Sequence, residues 1–153
     1  MIPHLHEPGR VSTTSCGRVF IICYQQPTSV ALEERVWADY LRHREGWPEG
    51  TLVLCSAEAS LPLPDVEVRA YWRESMRAGS GVLGFATINR GFVGLAGAAM
   101  THLLEHLVDP IFGIRFRVFT QTEPAIEWLA DVAPLDASEA ELNQALARLR
   151  ASG

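Results

Sequence analysis

Short unbroken apolar runs alternate along this 153-residue chain with stretches whose apolar residues recur at helical spacing. Arg18–Tyr24 (RVFIICY), Thr51–Ser56 (TLVLCS) and Val82–Ile88 (VLGFATI) are apolar and bounded by turn residues, the pattern of buried strands. Ile114–Thr120 (IRFRVFT) alternates apolar with polar residues and reads as a half-exposed strand. Val11–Ser15 is a short strand that turns at Cys16-Gly17 into the first apolar run. Between the strands, Pro27-Thr28-Ser29 caps a helix that runs to about Arg44. Glu33 and Glu34 suit its N-terminal end, and Val36, Trp37, Tyr40 and Leu41 form its apolar side. A second helix opens near Pro64 and keeps Val68, Tyr71, Trp72, Ser75 and Met76 in register, and a third runs from about Phe92 to Val108. Thr122 is placed to cap a short helix that buries Ile126, Trp128 and Leu129. Asp136–Glu139 fits a capping box ahead of the stripe Leu142, Ala145, Leu146 and Leu149.

Strands that alternate with helices predict a layered α/β fold with a mixed sheet of four to five strands, helices packed on it and a final amphipathic helix. Residues 1–9, with their prolines and histidines, read as a flexible lead-in. Residues 10–130 read as the α/β domain, and residues 131–153 as a helix packed on that same domain.

Charge and cysteine content narrow the function classes. The formal net charge is −5, which argues against a nucleic-acid role built on electrostatics. The chain contains no lysine, so Schiff-base chemistry and a P-loop lysine are excluded. Cys16, Cys23 and Cys55 are odd in number and contain no CxxC, which points to free thiols in a reducing, cytoplasmic compartment. The opening MIPHLHEPGR lacks the pattern of a signal peptide, and no apolar stretch is long enough to insert in a membrane.

The order of the segments, and in particular PTSVALEERVWADYL, LPLPDVEVRAYWRESM, GVLGFATIN and RFRVFTQTEPAIEWL, resembles small bacterial STAS-like proteins, the fold group of the anti-sigma-factor antagonists. The most recognisable piece is Phe119-Thr120 through Glu127-Trp128-Leu129, and the resemblance covers about Arg10 to Ala130. It implies a STAS-like fold and a non-catalytic regulatory or scaffold module that acts in bacterial signalling through protein–protein interaction. It names no partner, and self-association as a homodimer is compatible with it. The antagonists carry a phosphorylatable Ser or Thr where the helix after the third strand begins. The matching stretch here is Ile88-Asn89-Arg90-Gly91-Phe92, with no hydroxyl, so Asn89, Arg90 and Gly91 are the equivalent of the switch loop.

His102-Leu103-Leu104-Glu105-His106 matches HxxEH, in which histidines at i and i+4 share a zinc ion and the glutamate serves as base. A third ligand would have to come from Glu123, Glu127, Glu139 or Glu141. On the helical wheel Val93, Ala96, Met100, Leu103, Leu104 and Leu107 form the apolar stripe, and His102 and His106 sit opposite it beside Leu95, Ala98 and Ala99. That arrangement favours an interaction face made of Leu95, Ala98, Ala99, His102 and His106, with no metal and no cofactor, over a metallohydrolase using His102, Glu105 and His106. A further alternative is a small-ligand site near Asn89–Gly91, where strand ends and a helix N-terminus meet.

Overall fold

The computed structural model describes residues 5–57, 61, 64–76, 80–90 and 114–152. Its strands are β1 (His6–Glu7), β2 (Val11–Cys16), β3 (Val19–Tyr24), β4 (Thr51–Ala57), β5 (Val82–Asn89) and β6 (Arg115–Phe119). Its helices are α1 (Val30–Glu45), α2 (Val66–Met76), α3 (Thr122–Val132) and α4 (Glu139–Ala151). The strands form one six-stranded sheet in chain order, β1-β2-β3-β4-β5-β6. β1, β2 and β3 pair antiparallel, and β3 through β6 pair parallel, so the sheet is mixed.

This sheet has one strand more than the four to five expected. The extra strand lies inside the stretch read as a lead-in: His6 and Glu7 pair with Ser12 and Val11. The Leu5 amide donates to Thr13 Oγ1 at 3.0 Å, and the Thr13 amide donates to the Leu5 carbonyl at 2.9 Å. A strand of this length is too short to show a hydrophobic period, and the pairing comes from the open edge of β2.

Of the three apolar runs, β3 and β4 are covered on both faces, while β5 alternates buried with half-buried positions. All six residues of β3 are buried. On one face Val19, Ile21, Cys23, Leu52, Leu54, Ala86 and Ile88 pack against Ala125, Ile126 and Leu129 of α3 and Leu142, Leu146 and Leu149 of α4. On the other, Phe20, Ile22, Tyr24, Val53 and Cys55 pack against Leu32, Val36 and Tyr40 of α1. Such burial stabilises by roughly 1.5–3 kcal/mol per large apolar side chain. Among the described elements α2 packs chiefly on α1, α3 lies over β5, and α4 lies over β2 and β3. Gly84 lets α3 approach the sheet closely, since a Cβ there would lie 3.1 Å from Val132 Cγ1.

The helix ends follow the sequence in part. Ser29 caps α1 by accepting from the Leu32 amide. Around α4 the capping box is Ser138 with Glu141, two positions beyond the expected pair. Asp136 is instead drawn into a turn with φ 55°, where its backbone meets the β2–β3 hairpin. At α3 the cap position is Gln121 rather than Thr122, and no side chain bonds to the first-turn amides from it.

Candidate functional site

In parallel α/β sheets the carboxyl ends of the strands converge on one edge, and helices begin there with amides pointing outward. In this chain that edge carries a cleft of about 240 Å³, lined by Ile88 and Arg90 at the end of β5, Thr120 after β6, Gln121, Thr122 and Glu123 at the start of α3, and Arg150 in the last turn of α4. This volume is below the roughly 300–1,000 Å³ of sites that engulf a drug-sized molecule, so it suits a head group.

Three features give the cleft a positive character. Arg90 is exposed at the turn that ends β5. Arg150 is held in place, because its Nε and one terminal nitrogen donate to Ser56 Oγ at 3.3 and 3.0 Å. Ser56 is itself fully buried near the end of β4. The N-terminal amides of α3 have no side-chain cap from Gln121 and carry the positive end of the helix dipole. Thr120 and Thr122 add hydroxyls. Glu123 is the acidic residue of the lining and opposes this field.

Of the residues singled out from sequence, Asn89 is buried as the last residue of β5, and Arg90 follows it into the cleft. Gly91, Leu95, Ala98, Ala99, His102, Glu105 and His106 lie outside the described residues. Among the described residues the helix N-terminus at the cleft is that of α3, and the helix expected after Asn89–Gly91 lies outside them. Among the described residues no group of three His, Cys, Asp or Glu side chains is placed to hold a metal ion. Glu123 lines the cleft, and Glu141 is committed to the α4 capping box. No helix among the described residues is long and apolar enough to cross a membrane.

Comparison with protein-family models, with curated proteins and with solved structures finds no match for this chain.

Helical spacing did not show that α1 carries buried polar groups. Glu33, expected at the N-terminal end of the helix, is only 4% exposed. Its Oε1 accepts from Tyr24 Oη at 2.8 Å and Thr28 Oγ1 at 2.7 Å, and its Oε2 accepts from Trp72 Nε1 at 2.6 Å. Burial, followed by the adjacent Glu33 charge, pushes the Tyr24 phenol well above its usual range and keeps it a donor. Asp39 is fully buried, accepting from Thr13 Oγ1 and from Arg42 at 3.3 Å. Leu41, expected on the apolar side, is instead exposed. The readable signal was the polar residues Glu33, Asp39 and His43 interleaved with Leu32, Val36 and Tyr40 on one helix face.

At the opposite, amino-terminal edge of the parallel strands, His43 is fully buried with Nε2 donating to the Arg18 carbonyl at 3.2 Å. Burial lowers its pKa, against the raising effects of that bond and of Asp39. The Arg18 guanidinium lies 5.4 Å from the centre of the Trp47 ring. Its Nε faces Asp136 Oδ2 at 3.4 Å, an ion pair without the alignment of a hydrogen bond. A shallow groove of about 330 Å³ between β2 and α4 contains the half-buried Cys16. Burial raises the Cys16 thiol pKa, Glu141 adds to this and Arg148 opposes it, so the group is held as the less nucleophilic thiol.

Proposed function

We propose that this chain is a regulatory binding module with a STAS-like fold that acts through contact with another protein and takes an anionic small ligand at its carboxyl-edge cleft. The observation that carries the reading is the convergence of Arg90, Arg150 and the uncapped N-terminus of α3 on one cleft. Guanidinium groups present forked donors that match phosphate and carboxylate oxygens, and Ser56 fixes one of them in advance.

The resemblance supports the same place. Where the anti-sigma-factor antagonists carry a phosphorylatable hydroxyl, this chain has Asn89-Arg90-Gly91. An arginine there suits an anion supplied by a ligand rather than one attached to the chain. The output face of the proposal is the one the helical wheel assigns to Leu95, Ala98, Ala99, His102 and His106.

A melting-temperature screen tests the ligand half of the proposal. Inorganic phosphate, pyrophosphate, a nucleoside diphosphate and a dicarboxylate are titrated against the full chain at constant ionic strength, beside Arg90→Ala. A ligand that binds only the folded state raises the melting temperature in a saturable way. The expected result is such a rise with at least one of these anions, moved to about tenfold higher anion concentration or beyond in Arg90→Ala. No saturable rise, or a rise that Arg90→Ala retains at the same anion concentrations, contradicts the assignment.

A further inference from the structure

We infer that α2 is a strap latched to the body of the domain by the Trp72–Glu33 hydrogen bond, and that it opens as a unit while the sheet stays folded. This inference is independent of the anion proposal, because α2 contributes nothing to that cleft.

α2 buries little of itself. Val68 is its buried residue, Tyr71, Trp72, Ser75 and Met76 are half-buried, and Val66 is 70% exposed. α1, by comparison, buries six residues, and among the described elements α2 packs chiefly on α1 rather than on the sheet. Elements with few buried apolar contacts are the ones that open below the global stability limit.

The division of donors around Glu33 makes such opening feasible. The donors to Oε1 are Tyr24, at the end of β3, and Thr28, in the segment that leads into α1, so both remain with the body when α2 leaves. The donor to Oε2 is Trp72, from α2. A buried carboxylate stripped of a partner is strongly destabilising where water cannot reach it. Removing α2, however, takes away the group that covers Oε2 and admits water to it. Glu33 is therefore satisfied in both states, by the indole when α2 is docked and by water when it is released. The body keeps the carboxylate aimed at the docking position through Tyr24 and Thr28, so α2 can return to the same bond. A segment with two satisfied states is one whose populations a ligand or partner can shift.

Hydrogen exchange measured by mass spectrometry on the full chain tests this, using wild type, Trp72→Phe and Tyr24→Phe. In wild type, amides of residues 66–76 are expected to exchange through an opening that depends weakly on urea, while residues 19–24, 51–57 and 82–89 exchange only through the urea-sensitive global opening. Trp72→Phe is expected to speed exchange of 66–76 at least tenfold relative to those strands. Tyr24→Phe leaves Thr28 to aim the carboxylate and leaves the Trp72 bond in place, and is expected to leave the rate of 66–76 relative to the strands unchanged. The inference is overturned if wild-type α2 shares the urea dependence of the strands. It is equally overturned if Trp72→Phe speeds α2 only in step with them or not at all, or if Tyr24→Phe releases α2 as Trp72→Phe does.

Discussion

The two edges of the parallel strands use the same residue types for opposite purposes. At the amino-terminal edge, Arg18 is covered: its backbone amide donates to Leu135 at 2.9 Å, its carbonyl accepts from His43, and its guanidinium lies between Trp47 and Asp136. At the carboxyl-terminal edge, Arg90 stands exposed, and Arg150 is braced from behind by Ser56 at the rim of a cleft. The first edge closes a hairpin against the α3–α4 linker; the second brings Arg90 and Arg150 to the lining of a cleft. Arg18 is taken up by partners from its own fold, whereas Arg90 and the Ser56-braced Arg150 line a cleft.

The sharpest way to break the amino-terminal edge is Gly17→Ala. Gly17 has φ +55°, and a Cβ there would lie 2.3 Å from the Asp136 carbonyl oxygen. The added methyl must force the hairpin and linker apart, with an expected loss of roughly 2–3 kcal/mol in urea-denaturation stability. At the other edge, Arg90→Ala is expected to change stability by less than about 0.5 kcal/mol, as for other surface positions. The same substitution is expected to weaken anion binding about tenfold or more in a calorimetric titration, the scale of one charge-assisted hydrogen bond.

A smaller effect distinguishes the edges by pH. Burial lowers the folded-state pKa of His43 below its ordinary value of 6.5. The folded protein therefore binds fewer protons than the unfolded chain just below pH 6.5, and stability falls as the pH drops through that window. His43→Gln is expected to flatten this limb in denaturation measured between pH 7.5 and about 5. The smallest expected effect is at Glu123→Gln, which removes the opposing charge from the cleft lining and should tighten anion binding about twofold to fivefold in the same titration.

Much of the fold was readable because it depends on period and punctuation. The apolar runs at β3 and β4 had to be buried on both faces, that at β5 on at least one, and Leu142, Leu146 and Leu149 had to face a core. What escaped was set by tertiary partners. β1 exists because β2 offers an edge, and Glu33 is buried because Tyr24 and Thr28, just before α1, and Trp72, distant in sequence, meet it. The cleft was half legible. Asn89–Arg90 pointed to the end of β5, but only the return of α4 across the sheet brings Arg150 to the same place.

The most direct test follows the guanidinium Nε–H resonances of the ¹⁵N-labelled full chain while inorganic pyrophosphate is added at constant ionic strength. Saturable shifts of Arg90 and Arg150, with Arg18 unmoved, are the predicted result. Shifts of all three in parallel, or none at Arg90 and Arg150, would contradict the division of labour between the two edges.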